Sequence, residues 1–483
     1  MRRVRLGALL LLSVVAVGCA HYPLNAALPG AGGAATAYRF PAMVPDRPDP
    51  ADEIFVCLSF SGGGTRAAAF AYGALRRLQD IDVGRGGTKR SLLDEVDCIA
   101  GISGGAFTAA FYGLHGSETF QRFYDRFLVR NIQRELVLST LNPVNLARLV
   151  SPYYSRIDLA AELYDRTVFD GATYTALAKR RRPFVILHAT SMANGAPFEF
   201  TQDEFDFIGS DLSAFHVGRA AAASSAFPFL LSPVSLRSYP PAPGFEIPRD
   251  VSRALETREI NPSRYNWARQ RLDLMAGTDD KDKKWVHLLD GGLADNIGLR
   301  SILRAYDRSG GFIAQRINAG HIKRLIVIAV NARTDPPEQL SRQERSAGLV
   351  DVFMKTATVS MESLSADTID YAINRQNERE QAETNVRLCN QRLIGCGAQP
   401  FPSFAQDLRT CFVEISFEGL PSPAREEFLN LPTTFSLPEE SLKKLIDVAG
   451  TLLDGSSSFQ KLLRALRGEP RPGAGVGESG NCS

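Results

Sequence analysis

Two apolar runs of strand length in this chain each end in a glycine turn and open directly into a helical pattern. The first, Glu53–Ser59, leads through Gly62-Gly63-Gly64 into an alanine-rich helix predicted over Thr65–Gln79. The second, Glu95–Ile102, leads through Ser103 into a helix predicted over Gly104–Leu114. Strand, turn and helix twice in succession imply parallel strands, because parallel neighbours need a crossover connection rather than a hairpin. Pro183–Thr190, Trp285–Leu289 and Arg324–Val330 add further runs of buried-strand length. The expected architecture is α/β, a mainly parallel central sheet sandwiched by helices. In such sheets the functional loops gather at the carboxyl ends of the strands, and both glycine turns and Asp290 fall at strand ends.

The remaining segments divide the chain. With 483 residues, 44% of them hydrophobic, there is ample material for a large core. Acidic and basic residues are well mixed around a net charge of +2, so no basic face argues for nucleic acid. The expected catalytic body covers 52–335, with a Pro-rich and then charged insertion at 236–284 that is a candidate lid. Residues 336–467 are expected to be a mainly helical extension, notably over Ser341–Gln381 and Glu439–Leu466, and 468–483 a disordered Gly- and Pro-rich tail. Phe120, Phe123, Tyr124, Phe127 and Leu128 form an aromatic stripe at helical spacing that reads as core.

The N-terminus reads as a targeting segment. Arg2, Arg3 and Arg5 precede an apolar run, Leu6–Gly18, too short to span a bilayer but of the right length for a signal peptide. It ends in Ala16-Val17-Gly18-Cys19, which resembles a bacterial lipobox, with Ala16 standing where leucine is usual. The resemblance implies cleavage after residue 18, lipidation of Cys19, a flexible tether over 19–51, and residence at the cell envelope. Ala20, rather than Asp, after the cysteine favours the outer membrane. Six further cysteines are present. Cys57 and Cys98 lie in apolar strand-like runs and read as buried thiols. Cys389, Cys396, Cys411 and Cys482 are free to form disulfides in an exported protein, with Cys389–Cys396 the expected pair. The spacing matches no metal-site pattern, and no metal is expected.

The glycine turns carry the chemistry. Gly101-Ile102-Ser103-Gly104-Gly105 fits the nucleophile elbow G-x-S-x-G, and the helix behind it points its positive end at the serine. Gly62-x-Gly64-x-x-Ala67 also fits a dinucleotide fingerprint, but that motif needs an acidic residue at the tip of a second strand, and Gln79–Arg90 contains no strand. Three successive glycines instead offer backbone N–H groups to an oxyanion, with Arg66 adding positive charge nearby. Of six histidines, only His321 follows Asp290, and it precedes an apolar strand rather than following one, at the wrong end of the sheet. Asp290 can accept the serine proton directly if it is within reach and partly desolvated.

In order, Ser61-Gly62-Gly63-Gly64-Thr65-Arg66, Gly101-Ile102-Ser103-Gly104-Gly105, Ala222-Ala223-Ser224-Ser225-Ala226-Phe227-Pro228 and Asp290-Gly291-Gly292 resemble the motif blocks of the patatin-like phospholipases. Ala294-Asp295-Asn296 extends the likeness. Leu431–Leu437 resembles bacterial members that carry lipoprotein signals. The resemblance implies a patatin-like three-layer fold and a membrane lipid or lysolipid substrate. It implies Ser103 as nucleophile, Asp290 as its partner, Gly62, Gly63 and Gly64 as the oxyanion hole, and no cofactor. A non-catalytic lipid-binding lipoprotein and an envelope-assembly factor on the same scaffold remain open at this point.

Overall fold

The structure is a computed structural model that describes residues 20–30, 38–45, 54–84, 89–276, 284–307, 311–335, 344, 348–400, 408–469 and 482. The signal segment, Cys19 and nearly all of the tail lie outside those residues, whereas the described parts of the expected flexible tether over 19–51 are packed, with Asn25, Tyr38, Phe40, Met43 and Val44 buried. The strands are β1 (Ala26–Ala27), β2 (Ile54–Phe60), β3 (Val96–Gly101), β4 (Phe184–Ser191), β5 (Pro197–Glu199), β6 (Ser210–Asp211), β7 (Val234–Arg237), β8 (Trp285–Asp290), β9 (Arg324–Asn331) and β10 (Arg409–Ser416). Eight of them form one sheet in the order β10-β9-β2-β3-β4-β8-β7, with β5 paired to β4. From β10 to β4 all neighbours are parallel, whereas β8 runs antiparallel to both β4 and β7. Every residue of β3 and β4 is buried, so both faces of the sheet are covered.

The helices that matter to the site are α1 (Gly64–Asp80), α2 (Gly104–His115), α3 (Ile132–Leu141), α4 (Pro143–Arg148), α5 (Arg156–Tyr164), α6 (Val217–Ser224), α7 (Gly292–Asp295), α8 (Leu349–Gly395), α9 (Glu439–Gly455) and α10 (Ser457–Arg467). The two strand–turn–helix units stand where the sequence places them. The aromatic stripe is core at its centre: Phe123, Phe127 and Leu128 are fully buried, and Phe127 stacks on Phe107 with ring centroids 4.4 Å apart.

The extension is largely helical, but it is not a separate module. Its strand β10 joins the catalytic sheet in register with all of β9. Its helix α9 buries Leu442, Leu445, Ala449 and Leu453. The crossing of α9 with α1 is close enough that a side chain on Gly73 would fall 2.3 Å from the Ile446 carbonyl oxygen. The 236–284 insertion joins two adjacent antiparallel strands, β7 and β8, and is pinned to the body by Arg271–Glu204 at 2.8 Å and by the Tyr239 N–H donating to the Ile208 carbonyl at 2.8 Å.

The cysteines correct the sequence reading. Cys57 and Cys98 are buried as expected but bonded, standing opposite each other on β2 and β3 with Cα atoms 4.6 Å apart. Cys411 pairs with Cys482. Cys389 and Cys396, the pair expected from sequence, are both exposed thiols. Cys389 lies within α8 and Cys396 just beyond its end. Seven residues of helix separate such positions by about 10 Å along the axis, beyond disulfide reach.

Gly73 gives a test of the α1–α9 crossing. Helix propensity alone predicts that Gly73→Ala gains about 1 kcal/mol. The clash with a backbone carbonyl reverses the sign, and we expect a loss of about 1–3 kcal/mol, read as a lower urea midpoint at an unchanged slope.

Candidate active site

The register of the sheet sets the site. Gly101 on β3 stands opposite Leu187 on β4, and Ala189 on β4 stands opposite Asp290 on β8. Two residues beyond Gly101 the chain reaches the level of Ala189, so Ser103 and Asp290 arrive level on either side of β4. Because β8 is antiparallel, Asp290 ends its own strand yet lies alongside the carboxyl end of β4. The Ser103 Oγ donates to Asp290 Oδ2 at 3.0 Å.

Ser103 sits in a left-handed region, with φ 47° and ψ −116°, a conformation an L-residue holds only under constraint. Its N–H donates to Ser224 Oγ at 2.9 Å. The following residue must be glycine: a side chain on Gly104 would fall 1.9 Å from the Gly64 carbonyl oxygen and 2.8 Å from the Gly64 nitrogen. The elbow is thereby pressed against the first glycine loop. Helix α2 begins immediately after Ser103 and directs its positive end there.

Asp290 is 2% exposed. Its Oδ1 accepts the Gly292 N–H at 2.8 Å, its own N–H donates to the Ala226 carbonyl at 3.0 Å, and its carbonyl accepts Thr190 Oγ1 at 2.7 Å. Burial pushes its carboxyl up to about 7, and the Gly292 and Ser103 donors pull only partly the other way. A carboxylate in this position is a far better proton acceptor than one in water.

The glycine loop supplies donors, with one correction. The Gly62 N–H donates to the Asn296 carbonyl at 2.9 Å, which removes it from the expected trio. The N–H groups of Gly63 and Gly64 have no acceptor among the described residues. Gly64 opens α1, where helix geometry leaves N–H groups unpartnered. Arg66 is buried beneath the loop. It donates through Nε to the Ala332 carbonyl at 3.0 Å and through Nη1 to the Leu431 carbonyl at 2.8 Å. Burial draws its pKa down to about 10, with Glu362 opposing, so it remains a cation at neutral pH. Its Nη2 lies 2.8 Å from where a side chain on Gly63 would begin.

No hydrogen bond joins a histidine to Ser103 or Asp290 among the described residues. His321 is exposed in the loop that precedes β9, at the amino ends of the parallel strands and so at the opposite end of the sheet from Ser103. His188 is buried on β4, where burial lowers its pKa. Among the described residues no cluster of side chains could hold a metal ion.

Three positioning residues carry no role in the sequence reading, although two lie in the quoted blocks. Ser224 accepts the Ser103 N–H through its hydroxyl and the Gly291 N–H through its carbonyl at 3.1 Å, bridging both halves of the site. Asn296 takes up Gly62. Thr190 lies outside the blocks; besides bonding Asp290, it accepts the Ala294 N–H at 3.1 Å. Two segments of the extension reach the glycine turns: Thr434 accepts the Thr65 N–H at 2.8 Å, and the Met361 methyl on α8 comes within 2.3 Å of the space a Gly292 side chain would fill.

A sequence model of the patatin-like phospholipases matches residues 58–303. No curated protein matches the sequence. Among solved structures, human GIVD cytosolic phospholipase A2 superposes with a TM-score of 0.44 at 16% identity, over 93% of this chain and 68% of that one. The same human enzyme in complex with methyl gamma-linolenyl fluorophosphonate gives 0.40 at 14% identity, over 90% and 62% of the two chains. The family match covers just over half of the sequence, including Ser103 and Asp290, and the chain belongs to the patatin-like phospholipases, a family of lipid-ester hydrolases.

Proposed function

We propose that this protein is a serine acyl hydrolase of the phospholipase A or lysophospholipase type, working through a Ser103–Asp290 dyad. The observation that carries the reading is the 3.0 Å hydrogen bond from the Ser103 hydroxyl to a carboxylate kept out of water. Asp290 takes the hydroxyl proton as Ser103 Oγ attacks the ester carbonyl carbon. The N–H groups of Gly63 and Gly64 receive the oxyanion, with Arg66 beneath them. Collapse breaks the bond to the leaving alcohol, which takes the proton from Asp290, and an acyl-serine ester remains. Water then attacks that ester, gives its proton to Asp290, and releases the fatty acid as Ser103 Oγ regains the proton. No cofactor enters any step.

Phe229 supports an apolar substrate. It lies three residues beyond Ala226, whose carbonyl holds the Asp290 N–H. It is 54% exposed and stands edge-on to Phe353 of α8 at 4.3 Å. The lipobox-like Cys19 supports a chain held at the bacterial cell envelope, with the outer membrane as the expected site.

A fluorophosphonate probe tests the nucleophile. Ser103→Ala should abolish labelling, and labelling that survives the substitution removes Ser103 from the mechanism. Asp290→Asn should lower kcat/KM on a phospholipid by about 10³-fold or more, in the range seen when a catalytic base is removed. Full activity in that variant would end the dyad.

The pH dependence follows from the same carboxyl. Asp290 must be ionised to accept a proton, so kcat/KM should rise with pH to a plateau, half-maximal near 7. The sign for stability is opposite. Folding raises this pKa from the ordinary carboxylate range, so its stabilising contribution is full below about pH 4 and is lost as pH climbs through about 7. Asparagine cannot ionise, so Asp290→Asn should be inactive yet more stable than the parent at pH 8, by a few kcal/mol at order of magnitude. The difference should vanish near pH 4. Chemical denaturation at the two pH values checks this, and equal stability at pH 8 contradicts a desolvated carboxylate.

A further inference from the structure

Residues 136–147 contain no charged side chain, although they form a helical surface. Helix α3 buries only Ile132, and α4 buries no side chain at all. Val137, Leu138, Leu141, Val144, Leu146 and Val150 are between 47% and 74% exposed. A solvent-facing helix normally turns polar residues outward, and a contiguous exposed aliphatic face marks a surface that something covers. Ser103 and Asp290 do not account for it, because these side chains are not packed around them.

What covers the face is indicated by the chain just after the expected lipidation site, which packs against the end of the two helices. The Ala20 carbonyl accepts the Ser151 hydroxyl at 2.6 Å, and the Tyr22 N–H donates to the Tyr153 carbonyl at 2.8 Å. Ser151 is the residue after Val150. Ala20, the residue that follows the expected lipidation site, is therefore held beside the apolar helices. Aromatic rings with polar edges collect at the same place: Tyr153 is 54% exposed, and Tyr22 meets the 40% exposed Trp285 edge-on at 6.2 Å. Such rings favour the depth of lipid headgroups. A few residues further on, Arg156 at the start of α5 donates to the Phe229 carbonyl at 3.1 Å. Arg156 is five steps along the chain from Ser151, a span of at most about 18 Å. The end of the aliphatic face, Ala20 and the Phe229 segment thus all meet the same short stretch of chain, 150–156.

We infer that α3 and α4 dock into a lipid bilayer, with their aliphatic side chains among the acyl chains and Phe229 and Leu230 facing the same surface. Among the described residues no helix is long and apolar enough to cross a membrane, so this contact lies in the interface rather than spanning it. The inference rests on the lipid-hydrolase reading for its purpose, since docking would deliver an ester from the bilayer to Ser103. Its physical basis is independent of catalysis.

Hydrogen–deuterium exchange on the full chain, with and without vesicles of phosphatidylethanolamine and phosphatidylglycerol, reads docking directly. Amides of residues 132–150 should exchange about fivefold or more slowly when vesicles are present. Vesicle-bound protein without that protection overturns the inference. So does protection that rises with protein concentration in the absence of lipid, which would assign the face to a second copy. The variant Val137→Ser, Leu141→Ser, Val144→Ser changes only exposed positions. It should hydrolyse vesicle phospholipid about tenfold more slowly while cleaving a water-soluble short-chain ester at the parent rate, because only bilayer contact is lost. Equal rates on vesicles, or equal loss on both esters, count against docking. A parent protein that cleaves neither ester refutes the hydrolase reading, and the exchange result still decides the membrane contact.

Discussion

A carboxylate at the position of Asp290 has almost no water, and among the described residues two donors, the Ser103 hydroxyl and the Gly292 N–H, stand in for it. Removing a charge from water costs far more than two hydrogen bonds return, which is why its pKa rises toward neutrality. That cost is tolerable only if the surrounding backbone cannot relax. The neighbouring contacts provide this rigidity: Thr190 and Ala226 hold the Asp290 backbone on two sides, and Ser224 ties Gly291 to Ser103. The strained elbow and the buried acid share one brace, so neither can move without the other.

The brace extends to a part of the chain outside the family match. Arg66 lies under the glycine loop, and its guanidinium is satisfied by the carbonyls of Ala332 and Leu431, on either side of the sequence gap that α8 and β10 fill. Thr434 then closes on Thr65. A buried guanidinium without acceptors would be strongly unfavourable, so the 431–437 loop and the glycine loop depend on each other. The extension is part of how the oxyanion donors are positioned, in addition to adding β10 to the sheet.

The units legible in the sequence were those written in local pattern. The β2–α1 and β3–α2 units follow from apolar runs closed by glycine, and the elbow at Ser103 follows from the small residues such a turn requires. Asp290 was legible through its two glycines and through the poor supply of histidines. What remained hidden depends on pairing between distant segments. The antiparallel direction of β8 is set by the short β7–β8 pairing across a long insertion. The loss of Gly62 as a donor requires knowing that Asn296 returns beside it. Cys57 and Cys98 read as thiols because each strand is apolar by itself; only their register on adjacent strands makes them partners. Cys389 and Cys396 looked like partners because they are near in sequence, and a continuous helix is what keeps them apart.

The disulfides also bear on the proposed location. Cys57–Cys98 links the two strands whose ends carry the glycine loop and the elbow, and Cys411–Cys482 links β10 to the end of the chain. Bonds of this kind persist in oxidising compartments and are reduced in the cytosol. They fit a chain that leaves the cytosol behind a cleaved signal, as the lipobox-like sequence at Cys19 suggests on separate grounds. Export and the aliphatic face then reinforce each other. An exposed run of valine and leucine is an aggregation hazard on a freely diffusing protein, but under the proposed lipid anchoring it would be a second point of attachment, because Ala20 is held beside that run. Two such attachments would constrain orientation more than one, and orientation is what a buried serine needs if its substrate arrives from one side only.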